Sequence, residues 1–536
     1  MLVASKSGAG RLRAASIACL VASSAGAVTT NPLVQCQPAN FDGVSVCAVN
    51  MDSYAQLAGQ EVMPCPAGVT SSRESLLCEQ TFAAAVEDAR LYFGAPDAPS
   101  QPYLIQIAAG SYDFSVQTKA LRGQIGAIDV TGIAPASAGC LAGRPADTGI
   151  VDLSGNPCLI ISGAGPDQTT LITANSLTGI AGKEVSHIMI ENMAMVQPNR
   201  STTQGTYVSF ARQSIDGVDF PTLTLDIAAG LPTPLELFQI NCVNNGPQGC
   251  TTSGLKTIKD DIYMRVYTNS VAPALIQSTS GNDVNAQLPW GYPTLNGKVL
   301  LAARPTQPEP VNFPNRWTVT LSRPPYRRAI PSYYSGTTAG VPNLICMKVD
   351  HANAFWFGDN QSSGTDIIMN DMVWVGAARG TFRGIRGLPA GGGLGAQVYN
   401  STIERGPPVG GQTPCLATQS GGMQFGQPGD PPIYGNAVYG LRADGTGDDS
   451  IAMFNDIGGT RDSEGNYYPQ SSIRQSAIGN SFARDIYLEN VRDKTRLAGK
   501  SPVLVDLFTQ SEINNNGNCD PLVMGNGNCP VTYSNQ

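Results

Sequence analysis

The apolar positions along this chain change their period early and then keep it. Residues 80–93 carry Phe82, Ala85, Val86, Ala89 and Phe93 at helical spacing, which predicts an amphipathic helix. From Tyr103 onward the period falls to two. Residues 103–112 (YLIQIAAGSY) predict a strand that ends at a glycine turn, and residues 158–165 and 169–173 predict two more. In residues 185–196 (VSHIMIENMAMV), Ile188 and Ile190 alternate, then Met193 and Met195. Asn192 between them predicts a turn joining two short strands.

The same form, strand then Asn turn then strand, returns at residues 364–375. Looser versions follow at 396–403, 433–441, 450–456, 477–482 and 485–490. Short strands recurring at irregular intervals are the sequence signature of a solenoid with loops of variable length between its coils. Residues 206–332 break the pattern with longer β-like runs separated by prolines and charges, as at 261–267, 298–302 and 316–321. The organisation expected is a leader at 1–27, a Cys-rich segment at 28–79 and a helix with the first coils at 80–205. An inserted β-rich subdomain at 206–332, the main coils at 333–506 and a Cys-containing cap at 507–536 complete it.

Composition narrows the class. Charged residues are 14%, and 59 Gly with 38 Pro among 536 residues suit many strands joined by tight turns. A net charge of −8 argues against a nucleic-acid partner, and two histidines, His187 and His351, nearly exclude a multi-His metal site. Lys6, Arg11 and Arg13 precede the mostly apolar residues 14–22, and Ala25-Gly26-Ala27 offers a cleavage site, so an exported protein is expected, extracellular or periplasmic. Setting Cys19 aside leaves twelve cysteines without a C-x-x-C spacing, which points to disulfides rather than zinc. Sequence proximity suggests Cys36/Cys47, Cys65/Cys78, Cys140/Cys158, Cys242/Cys250 and Cys519/Cys529, with Cys346 and Cys415 left over. Beyond the leader no segment reaches the roughly 18 apolar residues of a membrane span, and a monomer is expected.

The candidate chemistry lies in residues 445–455, GTGDDSIAMFN, where Asp448 and Asp449 stand between glycines and an apolar run. Asp444 precedes them as a possible third carboxylate. Glycoside hydrolysis needs a protonated acid beside an ionised base, a division of labour that closely spaced carboxylates favour. Two other readings of the pair stay open: a turn capped by Asx hydrogen bonds, and a Ca2+ site built from acidic oxygens. No cofactor is otherwise required. His351 and Trp356 (residues 348–359) offer an aromatic edge with a polar anchor for a sugar, or His351 is simply a satisfied coil residue. Arg379, Arg383 and Arg386 form a local basic patch suited to a carboxylate or sulfate on a sugar, or a solvated loop. Glu404 and Arg405 read as a site pair or a surface ion pair, and His187 as structural.

The stretches IQIAAGSY, IISGAGPDQTTLI and VSHIMIENMAMV resemble the pectin-lyase-like superfamily. That resemblance implies an all-β, right-handed parallel β-helix with an N-terminal capping helix. GTGDDSIAMF is similar to the Gly-Asp-Asp-x-Ile-Ala element of polygalacturonase-type hydrolases and of β-helical α-1,3-galactosidases. It implies carboxylates projecting from one face and an Arg one or two coils later, the place Arg484 takes. The chain departs from the polygalacturonase pattern in two places. Residues 420–425 (SGGMQF) carry no carboxylate one coil before the pair, and no histidine follows it. The expectation is a secreted enzyme hydrolysing a poly- or oligosaccharide. A lyase or epimerase, or a non-catalytic adhesion protein on the same scaffold, are the alternatives.

Overall fold

The computed structural model describes residues 36–57, 72–95, 101–134, 158–237, 263–275, 299–321, 344–348, 354–454 and pieces of 464–534, with short breaks inside these ranges. The expected leader, His351, Arg484 and the Cys519/Cys529 segment lie outside the described residues.

The protein is built mainly of strands, and most of them pair in parallel with the corresponding strand of the next circuit of chain. A first ladder runs from Val44–Asn50 through Tyr103–Gln106, Leu159–Ser162, Ile188–Val196, Ile367–Val375, Ala396–Tyr399, Ala437–Tyr439 and Ser471–Arg474 to Val503–Asp506. A second uses Gly110–Phe114, Thr169–Thr173, the latter halves of Ile188–Val196 and Ile367–Val375, then Thr402–Glu404, Arg442–Asp444 and Ala477–Gly479. The third joins Gly126–Asp129, Thr178–Gly182, Phe355–Phe357, Gly380–Phe382, Met423–Phe425, Ile451–Phe454, Ile486–Glu489 and Thr532–Ser534. The chain visits the ladders in the repeating order first, second, third.

Successive residues of a strand face opposite ways, so each rung sends alternate side chains into one shared core. Ile190, Met369, Val398, Val438 and Ile473 are in register along the first ladder and all are buried. On the third, Phe357, Phe382 and Phe425 form a column with ring centroids 6.0 and 5.1 Å apart and nearly parallel planes. Each such aromatic pair adds about 0.5–1.5 kcal/mol beyond the area it buries. Gly380 makes room beside this column for Phe355, whose Cζ a Cβ there would meet at 1.9 Å.

Two columns of left-handed residues turn the chain between strands. Asn192, Asp371, Asn400 and Gly440 occupy equivalent bends on four successive circuits, with φ of 58°, 49°, 48° and 65°. Gly, Asn and Asp are the residues that tolerate this region. The bend expected at Asn192 is there. On the next circuit it falls on Asp371 rather than Asn370, and Asn370 instead donates to Glu191 Oε2 at 3.0 Å and accepts from Asn400 Nδ2 at 3.2 Å. The second column holds His187 (φ 58°) and Asp366 (φ 56°), both buried, with His187 Nδ1 3.1 Å from an Asp366 carboxylate oxygen, so the backbone and this contact give His187 a structural place in the coil.

The helix Ser72–Gly94 is longer than its apolar stripe predicts. It packs Phe82 edge-on against Tyr112 and Phe114, closing the open end of the core. Tyr54 on the short helix Met51–Leu57 shares a hydrogen bond with Tyr103, and burial pushes the Tyr103 hydroxyl up to about 12.

Between the second and third ladders of one circuit the chain leaves to form a separate antiparallel sheet. Its order is Ala274–Leu275, Tyr263–Thr268, Leu344–Lys348, Thr202–Ile215, Val218–Ile227, Arg316–Leu321 and Val299–Ala303. Its strands reach from Thr202 to Lys348. Arg316 clasps Asp226 with two hydrogen bonds of 2.7 and 2.9 Å. Disulfides join Cys36 to Cys47 and Cys346 to Cys415, and Cys78 and Cys158 are also disulfide-bonded. The two cysteines left over by sequence proximity therefore pair across distant parts of the chain. No helix among the described residues is long and apolar enough to cross a membrane.

Candidate active site

The GTGDDS turn enters the third-ladder strand Ile451–Phe454. Gly445, Thr446, Gly447 and Ser450 are buried, while Asp448 and Asp449 stay half-buried at the surface. Hydroxyls hold the turn from inside. Thr446 Oγ1 donates to the Asp448 carbonyl at 3.0 Å and lies 2.8 Å from Ser450 Oγ. The Gly447 amide donates to Thr418 Oγ1 at 3.1 Å, and the Asp449 amide to Asp448 Oδ1 at 3.1 Å. The preceding circuit approaches closely because Gly421 and Gly422 lack side chains. A Cβ on either would meet the Asp449 or Ser450 carbonyl at 2.8 or 2.2 Å, where the Gly422 amide donates to the Asp449 carbonyl at 2.9 Å.

Three circuits then line one cavity of about 340 Å³: Arg379 from the first, Gly421, Met423, Gln424 and Gln427 from the second, Asp448, Asp449, Ala452 and Phe454 from the third. Arg379 Nη1 donates to Gln424 Oε1 at 2.6 Å, which fixes the amide orientation and sets the guanidinium beside the carboxylates' cavity. The lining residues Gln424 and Ala452 are in register on the third ladder, and the buried Thr381 stands one rung before them in the same row. Trp356 stands in that row one rung before Thr381, between the buried Phe355 and Phe357. It lies two rungs from Gln424, roughly 10 Å at ordinary strand spacing, and Lys183 Nζ stands 5.5 Å from its ring centroid.

The structure thus brings Asp448, Asp449 and Arg379 together and places Trp356 on the same outer face. The other candidates sit elsewhere. Arg383 grips the buried Asp430 through two hydrogen bonds of 3.1 and 2.8 Å. Asp444 is on the second ladder, accepting from Arg405 Nη2 at 2.8 Å. Glu404, the last residue of the strand Thr402–Glu404, is exposed, while Arg405 just past the strand is buried and bonds Asp444. Among the described residues no group of three or more His, Cys, Asp or Glu is placed to hold a metal ion.

No protein-family model matches the chain, and no curated protein matches it. Solved structures do. The catalytic unit of a thermostable GH87 alpha-1,3-glucanase from Streptomyces thermodiastaticus aligns over 86% of this chain at 10% identity and a TM-score of 0.28. The alignment spans 39% of the glucanase chain, well under two thirds of it. Pectin methylesterase from Erwinia chrysanthemi aligns over 84% of this chain and 94% of its own, at 8% identity and a TM-score of 0.20. The A-module of a mannuronan C-5 epimerase from Azotobacter vinelandii aligns over 86% and 98%, at 8% identity and 0.18. Likeness at this level transfers no residue role, and the site stands on its own geometry.

Sequence reasoning missed Gln424, Gln427 and Phe454 as cavity residues. A usable signal was present: SGGMQF and DDSIAM share small or polar residues followed by two apolar residues at a spacing of two, and in the structure Met423 pairs with Ile451 and Phe425 with Met453.

Proposed function

We propose that the protein is a carbohydrate-active enzyme on a right-handed parallel β-helix, and that it hydrolyses glycosidic bonds with Asp448 and Asp449 as the acid and base. The three-ladder circuit supports the β-helix. The observation that carries the chemistry is the cavity that gathers both carboxylates, Arg379, Gln424 and Phe454 from three successive circuits onto one outer face. In the reaction one carboxylic acid gives its proton to the glycosidic oxygen as the C–O bond breaks. The other carboxylate takes a proton from the water that attacks the anomeric carbon. Arg379 and Gln424 orient sugar hydroxyls or a sugar carboxylate, and Trp356 offers a stacking face further along the row. Arg484 remains the candidate from the following circuit. Export, a poly- or oligosaccharide substrate and action as a monomer belong to the same reading.

Arg379 favours one second reading, a lyase or epimerase, because a guanidinium beside the site can neutralise a uronate while a base removes its C5 proton. A panel of neutral and acidic glycans, with product analysis by mass, by ultraviolet absorbance and by proton NMR for C5 inversion, separates the two. Reducing-end products without new absorbance support hydrolysis, and an unsaturated uronate supports elimination. An unchanged panel for the wild type and for Asp448→Asn and Asp449→Asn overturns both.

A further inference from the structure

The antiparallel sheet touches the rear of the candidate site through a short chain of covalent and polar links. Cys346 on its strand Leu344–Lys348 is disulfide-bonded to Cys415 in the loop leading to the third ladder. Gln204, on the paired strand Thr202–Ile215, is 1% exposed and clasps the same loop from both sides. Its Oε1 accepts from the Cys415 amide, and its Nε2 donates to the Thr413 carbonyl at 3.1 Å and to Gln412 Oε1 at 3.3 Å. Gly410 lets the loop lie against Ala229, where a Cβ would stand 2.1 Å from the carbonyl oxygen. Two and three residues past Cys415, the loop meets the GTGDDS turn. The Ala417 amide donates to the Gly445 carbonyl at 2.7 Å, and the buried Thr418 accepts from the Gly447 amide at 3.1 Å. Gly447 is the residue immediately before Asp448.

We propose that this sheet is a clamp for the Asp448–Asp449 turn, with Thr418 as the positioning residue and the Cys346–Cys415 bond and Gln204 as its anchor. The role of the turn as the reacting element rests on the function proposed above. The clamp itself is a statement about where the turn is held. Thr418 grips the backbone immediately before the two carboxylates, alongside the Thr446 and Gly422 contacts to the Asp448 and Asp449 carbonyls, so the placement of the pair follows the placement of that backbone. A displacement near 1 Å in such a site costs on the order of 100-fold in rate.

The test compares Thr418→Val, Thr418→Ser and Gln204→Leu with the wild type by two readouts. Carbodiimide labelling of folded protein, mapped by peptide mass spectrometry, reports exposure of Asp448 and Asp449 without any substrate, with Asp430 as the internal standard. Labelling at Asp448 and Asp449 is expected to rise several-fold in Thr418→Val and Gln204→Leu and to return to the wild-type level in Thr418→Ser. On any glycan the wild type cleaves, Thr418→Val is expected to lower kcat about 10-fold or more with KM nearly unchanged, at a thermal midpoint close to the parent's. If labelling and kcat are unaltered in Thr418→Val and Gln204→Leu, the clamp is overturned. If the wild type cleaves nothing while labelling responds as described, the clamp stands and the hydrolase reading falls.

Discussion

Asp371 occupies the bend that Asn192 and Asn400 occupy on the circuits before and after it. Burial, and then the negative charge of Asp167, raise its pKa above the ordinary carboxylate value. A raised folded-state pKa means the folded protein holds the proton more tightly than the unfolded chain. The resulting stability is present at low pH and is lost as pH rises through the folded value. Asp371→Asn removes the charge and suits the left-handed backbone, so the variant should melt above the parent near neutral pH. The gap should close as pH falls towards about 4, a trend that melting curves across that range will show. Gly445 is a sharper case. Its φ is +78°, and a Cβ would stand 2.4 Å from Arg405 Nε. Gly445→Ala should therefore displace Arg405 from Asp444 and cost about 1–3 kcal/mol in denaturant unfolding. At the proposed reacting groups, Asp448→Asn and Asp449→Asn should each keep the parent's melting behaviour, and at least one should lose about 100-fold or more in turnover.

At the scale of elements, the first ladder was readable from the chain because its strands alternate apolar residues around an Asn or Gly bend. The third was not. Phe355–Phe357, Gly380–Phe382 and Met423–Phe425 have three residues each, too short for a period of two to stand out, and their outward positions include buried Thr381 and Gln424. The bend at Asp371 was placed one residue early, since Asn370 and Asp371 tolerate the same backbone equally well and only the register across the ladder decides between them. The carboxylate pair was legible as a motif. The Gln424 and Phe454 that complete its cavity were not, because which circuit lies beside which depends on loop lengths. Arg383 shows the same limit in reverse: a basic residue in a Gly-rich loop reads as ligand-facing, yet it is committed to Asp430. Arg383→Gln should cost about 3–5 kcal/mol by stranding a buried carboxylate. Titration with any cleaved glycan should show KM nearly unmoved, whereas a direct substrate contact would raise it.

For the whole molecule, stacked parallel strands leave an end at which backbone groups and core side chains would meet water. The helix Ser72–Gly94 covers that end with Phe82. Phe82→Ala should lower stability by about 3–5 kcal/mol and speed aggregation, as light scattering during a thermal ramp will report. The excursion through the antiparallel sheet has a consequence for synthesis. Thr178–Gly182 finds its next parallel partner only in Phe355–Phe357, so everything between them must leave the ribosome first. Circuits after that point can settle one by one as they emerge, whereas this single junction waits with an open edge. A chaperone that shields nascent chains should matter most within that interval, and ribosome-bound fragments ending shortly before Ala354 should be the most protease-sensitive of a nested series.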